Sequence, residues 1–256
     1  MVVLDETSKN RSAGMDINRA LSVAVRATER AFEGAPGRER IPEPQSVDHF
    51  IDLLRPGSLH ALIGPAKPTG PLLVHIAAKL AVARCVNTLF ASPHGSEAVL
   101  AQRFLADVAR VHPVALRNGD LDVEDWVKIT RAVPRLEAAP LRLVGRGSIG
   151  ELLAALTHDV QAVVIDDLPA IPTRAPERLI DDLAAAASVL NVPVLVMAPA
   201  PEGATLADIC LPDDAFDVIG AVSYGEEELR ITAWRSRQKL GRRSMPARFG
   251  SIKMPR

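Results

Sequence analysis

Residues 58–84 read SLHALIGPAKPTGPLLVHIAAKLAVAR, and the class of fold can be predicted from them. It begins with a short, continuously apolar segment, SLHALIG (58–64), which predicts a β-strand. A loop rich in glycine and proline follows, GPAKPTGP (64–71), and the next segment, LLVHIAAKLAVAR (72–84), predicts a helix. A buried strand, a loop and a helix in this order form the repeating unit of a parallel α/β sheet.

The same alternation continues along the rest of the chain. Further strands are predicted at 86–92, 141–145, 161–167 and 192–198, and helices at 96–110, 122–138, 148–156 and 176–190. Two late strands on either side of Gly225 predict a β-hairpin. Continuous apolar strands separated by helices are typical of a parallel sheet that is covered on both faces. The sequence therefore predicts an α/β domain with a mostly parallel sheet over residues 47–236.

The composition excludes several classes of protein. The chain has 256 residues, 48% of them apolar and 24% charged, which is sufficient for a core of ordinary size. Its two cysteines, Cys85 and Cys210, form neither a disulfide framework nor a zinc-ligand pattern. No apolar run approaches the length of a membrane span, and the first residues contain no signal-like apolar stretch. We therefore expect no membrane association and a cytoplasmic location.

The segments before the α/β body have a different character. Residues 1–14 are polar, and we expect them to be flexible. Apolar residues recur at spacings of three and four over residues 15–33, which predicts an amphipathic helix. A linker rich in proline, glycine and charge follows it, so that residues 15–46 form a helix and its tether. The apolar face of this helix must be covered by the body of its own chain or by a neighbour.

The carboxy-terminal residues 237–256 form a basic tail. From Arg235 to Arg256 the sequence contains eight Lys or Arg and no Asp or Glu. Such a tail predicts an electrostatic contact with the phosphates of nucleic acid, and the alternative is a disordered segment that only aids solubility. The candidate DNA-binding residues are Arg242, Arg243, Arg248 and Lys253.

The loop 64–71 is the first candidate site, because ligands of parallel α/β sheets bind at the carboxyl ends of strands. A phosphate-binding loop follows the pattern G-x-x-x-x-G-K-[ST], in which the lysine contacts phosphate and the hydroxyl contacts magnesium. Gly64 takes the first position and Gly70 can take the second, but Pro71 and Leu72 then replace the lysine and the hydroxyl. The remnant nucleotide-binding residues are Gly64, Lys67, Thr69 and Gly70.

The second candidate site is VVIDDLPAI (163–171), in which Asp166 comes at the end of an apolar strand. An acid in this position beside a phosphate loop holds magnesium through water, so Asp166 is the candidate metal residue. The alternative is a solvated acid at a strand end or a helix N-cap.

Six segments together carry a resemblance to a known family. They are VDHFIDLLRPGSL (47–59), LAQRFLADVARV (100–111), LRNGDLDVEDWVKITRAVPRLEAAPL (116–141), VVIDDLPAI (163–171), NVPVLVMA (191–198) and FDVI (216–219). In this order they resemble the carboxy-terminal, RecA-like motor domain of DnaB-type replicative DNA helicases. The resemblance implies a RecA-like P-loop NTPase fold. The family's amino-terminal collar domain has no counterpart, and helix 15–33 resembles the linker helix that docks on the adjacent motor domain.

Most departures from the family fall on the residues that hydrolyse ATP. Besides the missing lysine and hydroxyl, His94 stands where the family has the glutamate that activates the attacking water. Ala198-Pro199 stands in place of the family's Ser-Gln sensor. These groups act as a unit in phosphoryl transfer. We therefore expect no helicase-level turnover and no requirement for ATP or magnesium.

One family element is partly retained in Arg235-Ser236-Arg237. It occupies the place of the family's K-x-R motif, so the resemblance assigns Arg237 to an arginine finger that acts on a neighbouring subunit's γ-phosphate. The alternative is that both arginines are surface charges. The candidate catalytic remnants are thus Asp166, His94 and Arg237.

Three functional hypotheses follow. The preferred one is a non-catalytic relative of the DnaB-type motor that serves as a binding or regulatory module in DNA replication. It would self-associate or dock on a DnaB-type helicase through helix 15–33. The second is an active ATP-dependent helicase with an unorthodox phosphate loop, which would use Lys67, Thr69, Gly70, Asp166 and a neighbour's Arg237. The third is an oligomeric scaffold that binds neither nucleotide nor DNA.

Overall fold

The computed structural model describes residues 15–32, 47–147, 149–171, 178–201, 212, 215–224, 229–235 and 247–252. The strands in these residues are β1 (Met15–Asp16), β2 (Leu59–Gly64), β3 (Thr88–Ser92), β4 (Leu141–Gly145), β5 (Ala162–Ile165), β6 (Val194–Pro199), β7 (Val218–Tyr224), β8 (Leu229–Arg235) and β9 (Ala247–Ile252). The helices are α1 (Ile17–Phe32), α2 (Val47–Ile51), α3 (Ala66–Ala78), α4 (Glu97–Ala109), α5 (Pro113–Asn118), α6 (Val123–Glu137), α7 (Ile149–Ala155) and α8 (Leu179–Leu190). A π-helical turn at Lys79–Ala83 continues α3, and a 3₁₀ turn lies at Leu168–Ala170.

The strands form one sheet in the order β1-β4-β3-β5-β6-β2-β7-β8-β9. Its six central strands, from β4 to β7, are parallel to one another. The remaining strands lie antiparallel at the two edges, β1 against β4 and the β8–β9 pair against β7. The predicted α/β class with a mostly parallel sheet is confirmed, and so is the antiparallel pairing of the two late strands.

The central strands are buried on both faces, which explains why their sequences are continuously apolar. Along β3, Phe90 packs on one face of the sheet while Leu89 and Ala91 pack on the other. The first face is covered by α1 to α6 and the second by α7 and α8. Phe90 also meets Phe104 of α4 edge-to-face, with ring centroids 5.0 Å apart and planes at 89°, which fixes α4 against the sheet.

Helix α1 lies against the body of its own chain. It is preceded by β1, which pairs with the edge strand β4, and it packs on α4, α5 and α6. Ile17, Ala20, Leu21 and Ala24 are each at most 1% exposed. The described part of the apolar stripe, as far as Ala24, is therefore covered by the same chain, which is one of the two alternatives left open by the sequence. The tether over residues 33–46 lies outside the described residues.

An ion-pair cluster joins α2 to the end of α3. Lys79 Nζ lies 2.5 Å from Asp48 Oδ2, and Arg84 reaches both Asp48 Oδ1 at 3.2 Å and Asp52 Oδ1 at 2.7 Å. The hydrogen bond from Lys79 lowers the pKa of Asp48 below its ordinary value of 3.8, against the opposing effect of burial. The cluster thereby holds α2 beside the helix that leads away from the candidate site.

The candidate site and the carboxy-terminal residues each differ from their sequence-based predictions. The stretch 64–71 is not an extended loop, because α3 begins at Ala66. A proline in the first turn of a helix costs no hydrogen bond, so Pro68 is compatible with this early start. At the other end, residues 247–252 of the predicted tail form β9, which pairs with β8 and continues the sheet beyond residue 236. The sequence does not predict this strand, because residues 247–252 lie among basic residues and contain no continuous apolar run.

Within the described residues, no helix combines the length and apolar character that crossing a bilayer requires.

Candidate functional site

The carboxyl ends of β2, β3 and β5 bring together residues from three distant segments. Gly64 ends β2, Ser92 ends β3, and Asp166 directly follows β5. The backbone N–H of Asp166 donates to Ala91 O at 2.8 Å, so the end of β5 remains in register with β3. The residues predicted from the loop 64–71 and from the segment 163–171 therefore lie together at the carboxyl ends of the central strands, as the parallel topology requires. This side of the sheet is the edge meant below.

The first turn of α3 occupies the segment in which a phosphate loop was predicted. Thr69 is buried, and both its backbone N–H and its hydroxyl donate to Pro65 O, at 3.1 and 2.7 Å. Lys67 is exposed. Helices bind anions through the unpaired N–H groups of their first turn. Here Pro65 and Pro68 have none, so only Ala66 and Lys67 carry an N–H among the first four positions.

Gly64 is required by the packing of β2 against β7. A Cβ atom at this position would lie 2.8 Å from Val222 O and 2.9 Å from Val222 Cβ. Its carbonyl oxygen accepts a hydrogen bond of 2.9 Å from the backbone N–H of Ala200. The sequence pattern assigned this glycine to phosphate binding, whereas in the structure a neighbouring strand is what approaches it.

Asp166 is held by two side chains of the protein. The Ser92 hydroxyl and Arg103 Nη1 each donate to Asp166 Oδ2 at 2.9 Å. Arg103 Nη2 lies 3.5 Å from Gly70 O, so the guanidinium also reaches the first turns of α3. Asp166 is 2% exposed, and the side chain of Arg103 is 27% exposed. The carboxylate predicted to hold magnesium is thus buried and paired with an arginine.

Arg103 is the residue of this site that sequence reasoning missed. It belongs to a segment that carried the family resemblance, LAQRFLADVARV (100–111), but no role was predicted for it. The available signal was its spacing, since Arg103 follows the buried Leu100 by three residues and directly precedes the buried Phe104. A cation beside the apolar face of a helix needs a partner. The sequence alone did not identify that partner.

His94 lies at the same edge of the sheet. Its Nε2 is 2.5 Å from Asp167 Oδ2, and its backbone N–H donates to Ser92 Oγ at 3.1 Å. The imidazole is 56% exposed, whereas Asp167 is largely buried and has a left-handed backbone with φ of 48°. A non-glycine residue in this conformation is strained, and the surrounding contacts must compensate for it. The structure therefore places the residue aligned with the family's glutamate next to an aspartate that engages its ring.

Two polar groups of this site, the Thr69 hydroxyl and the Asp166 carboxylate, are engaged with the protein itself. Magnesium at phosphate sites takes one or two carboxylates together with hydroxyl, water and phosphate oxygens. Here the Thr69 hydroxyl donates to Pro65 O, and Asp166 pairs with Arg103. Among the described residues no group of three or more His, Cys, Asp or Glu side chains is arranged to hold a metal ion. As arranged, the residues do not fit a magnesium–nucleotide complex.

The structure describes one of the five remaining predicted site residues, Arg248. Arg237, Arg242, Arg243 and Lys253 lie outside the described residues. Arg248 lies on β9, opposite Thr232 of β8, and β9 is separated from β2 by β7 and β8.

A cavity of about 380 Å³ lies at the other end of α3. Its polar lining comes from His75, Lys79, Asp107, Arg110 and Arg135. His75 Nδ1 contacts Asp107 Oδ1 at 2.9 Å. The basic side chains stand at the carboxyl-terminal ends of α3, α4 and α6, where they complement the negative ends of the helix dipoles.

Comparisons with known proteins agree with this architecture. A comparison with curated protein sequences gave no match. Among solved structures, an ATPase domain matches with a TM-score of 0.62 and 13% identity, covering 91% of this chain and 94% of its own. A DnaB-like replicative helicase, described together with its interactions with primase, matches with a TM-score of 0.61 and 13% identity, covering 92% of this chain and 73% of its own.

At such identities these two likenesses show the fold, which is the RecA-like α/β fold that the resemblance implied. The model of the DnaB-like helicase C terminal domain family matches residues 45–198, which is more than half of the chain. The chain therefore belongs to the DnaB-like helicase C-terminal domain family, and it is a helicase-related protein.

Proposed function

We propose that this chain is a non-catalytic member of its family, a binding or regulatory module in DNA replication. The observation that carries the proposal is the first turn of α3. The helix begins at Ala66, so the stretch 64–71 forms no open loop in which a triphosphate would lie. The Thr69 hydroxyl is hydrogen-bonded to Pro65 O within that turn. The proposed site of action is the cytoplasm, and we propose no requirement for nucleotide or metal.

The expected loss of hydrolysis is large. Catalysis of phosphoryl transfer consists of positioning the phosphates and stabilising their charge. Removing one donor of this kind from an active site costs about 10² to 10³ in rate. The chain lacks the lysine and the hydroxyl at their family positions, and His94 replaces the catalytic carboxylate. Because such groups act as a unit, the rate losses from the individual residues cannot be multiplied. The loss of one such group is already enough to bring the rate below that of a working helicase.

Titration calorimetry of the full chain with ATP and magnesium tests this proposal. We expect no binding heat at micromolar nucleotide and no phosphate release above a protein-free control. The matched variant is Lys67→Ala, because Lys67 is exposed and is the one lysine of the stretch 64–71. We expect it to behave as the unsubstituted protein does. Micromolar binding accompanied by turnover overturns the proposal.

An active ATPase with an unorthodox phosphate loop is the second candidate function. It is favoured by the position of Lys67, Thr69 and Asp166 at one edge of the sheet. This candidate requires the first turn of α3 to open and Arg103 to release Asp166. If it holds, both Lys67→Ala and Asp166→Asn abolish hydrolysis. Activity that survives both substitutions rejects these residue assignments.

The proposed partner follows from the packing of α1. The groove formed by α4, α5 and α6 accepts α1 of its own chain, and an identical groove on a second copy offers the same contacts. We therefore propose that exchange of α1 produces self-association, or docking on a DnaB-type helicase. Light scattering should report an oligomer for the full chain and a monomer after residues 1–34 are removed. A monomer in both forms excludes exchange of α1.

Contact of the basic carboxy-terminal residues with DNA is the remaining part of the proposal. Deleting residues 241–256 would also remove β9, so charge-neutralising variants are the cleaner test. Each phosphate contact contributes about 0.9 to the slope of log affinity against log salt. The double variant Arg242→Gln/Arg243→Gln should therefore make that negative slope shallower by about 1.8. An oligomer that binds neither DNA nor nucleotide identifies the third function, a plain scaffold.

A further inference from the structure

The cavity at the carboxyl-terminal end of α3 is lined by more cationic side chains than carboxylates. Its volume of about 380 Å³ lies in the range of small-molecule sites. Its charged and polar lining comes from α3, α4 and α6 and consists of His75, Lys79, Asp107, Arg110 and Arg135. We propose that this cavity is a binding site for a small organic phosphate, whose phosphoryl group contacts Arg110 and Arg135.

The carboxylate of the lining, that of Asp107, is engaged by His75. His75 Nδ1 lies 2.9 Å from Oδ1 and 3.1 Å from Oδ2 of Asp107. A carboxylate accepts hydrogen bonds, so His75 donates its Nδ1–H to it. The Lys79 ammonium pairs in turn with Asp48 of α2. Even with Asp48 counted, the Lys and Arg side chains outnumber the carboxylates by three to two, and the cavity therefore favours an anion.

Two guanidinium groups suit a phosphoryl group better than a carboxylate. Arginine presents its N–H donors in a planar fork that matches phosphate oxygens, and such charge-assisted hydrogen bonds are about twice as strong as neutral ones. A phosphoryl dianion has three terminal oxygens and two charges to share between the two side chains. The negative ends of α3 and α4 oppose an anion here, but this effect is screened by salt and is confined to the last turn of each helix.

Arg110 has the backbone conformation that helix ends usually give to glycine. It caps α4 in the left-handed region, with φ of 57° and ψ of 45°. Glycine takes this conformation without strain, whereas a side chain makes it costly. A strained residue of this kind indicates a use for its side chain. At this position the side chain lines the cavity.

The apolar part of the lining indicates that the ligand carries more than a phosphoryl group. Val82 and Ala83 belong to the π-helical turn that continues α3, and Ala78 and Val108 complete this apolar surface. Turns of this type are rare and are frequent at functional sites. Small-molecule sites typically combine an apolar wall with a few polar groups that orient the ligand. The lining therefore favours a phosphate ester with an apolar part over free inorganic phosphate.

Titration calorimetry of the full chain with phenyl phosphate tests the site, with sodium chloride keeping the ionic strength constant. We expect saturable binding that is about tenfold tighter than that of inorganic phosphate, because the ring can bury about 60 Å² of apolar surface. Sodium acetate should bind more weakly than either phosphate. If phenyl phosphate shows no saturable binding, or if acetate binds as tightly, the proposal is wrong.

Two variants locate the binding in the cavity. Arg135→Gln removes an exposed guanidinium of α6 and should weaken phenyl phosphate binding at least tenfold. The matched control is Arg117→Gln, which removes the same charge from an exposed position on α5 outside the lining and should leave the affinity unchanged. Equal losses in these two variants would attribute the binding to net charge and reject the site.

Arg110→Gly keeps the test decisive if Arg135→Gln folds poorly. Glycine accepts the left-handed cap of α4, so this variant should fold while losing at least tenfold in affinity. Undiminished binding in Arg110→Gly contradicts the proposed contact.

This inference does not rest on the proposed function, because the stretch 64–71 and the cavity lie at opposite ends of α3. Binding of ATP without hydrolysis that Arg135→Gln abolishes would support the site in the cavity. ATP hydrolysis that survives Arg135→Gln would reject the proposed function and leave the result with phenyl phosphate as it stands.

Discussion

Leu21 lies on the buried face of α1, where it is 1% exposed. Leu21→Ala removes three carbon atoms from this interface. At about 0.8 kcal/mol for each buried carbon the transfer cost is about 2.4 kcal/mol, and the cavity left behind adds to it. We therefore expect a loss of about 3 kcal/mol in the free energy of unfolding. With a urea m-value of about 3 kcal/mol/M, the unfolding midpoint should fall by about 1 M.

Urea unfolding followed by circular dichroism measures this shift. The matched control is Val23→Ala on the same helix, because Val23 is 46% exposed. Its midpoint should stay within about 0.2 M of the unsubstituted protein, since surface substitutions cost less than about 0.5 kcal/mol. Equal midpoints for the two variants would refute the packing of α1. A midpoint that rises with protein concentration would show that α1 of a second copy makes the same contact, as the proposed exchange of α1 requires.

Three further outcomes are expected. Phe104→Ala should destabilise the protein by about 3 to 5 kcal/mol in urea unfolding, and Phe104→Leu by much less, because the aromatic pair with Phe90 is buried. Gly64→Ala should lower Tm equally with and without ATP, because the added Cβ meets the backbone of β7; a nucleotide-dependent loss would contradict this. Ion pairing lowers the pKa of Asp48, so its stabilising contribution is complete above pH 3.8 and is lost as the pH falls below that value. Asp48→Asn should therefore show a shallower fall in stability between pH 5 and pH 3 than the unsubstituted protein, and an unchanged fall would contradict the ion-pair cluster.

Much of the fold could be predicted because its signals are local. The strand predicted at 58–64 is β2 (Leu59–Gly64), and the strand predicted at 86–92 contains β3 (Thr88–Ser92). Strands buried on both faces require apolar residues without interruption, and this requirement is visible in a few consecutive letters. β9 was not predicted, since an edge strand among basic residues has no such run.

The candidate site was predicted only in part. Asp166 and the remnant residues of the stretch 64–71 lie at one sheet edge because parallel strands place their carboxyl ends together. The helical start of α3 was missed, because a Gly- and Pro-rich sequence is compatible both with a loop and with a helix that has prolines in its first turn. The structure decides in favour of the helix, which begins at Ala66.

The sequence alone predicts the class of fold and most of the alternation of strands and helices between residues 58 and 198, and it predicts that His94 stands at the position of the family's glutamate. The packing of α1 against its own chain and the pairing of Arg103 with Asp166 become visible only in the folded protein. Both contacts join segments that are far apart along the chain. Periodicity and motif spacing report on neighbouring residues, whereas Arg103 and Asp166 are 63 positions apart and meet only in the folded chain.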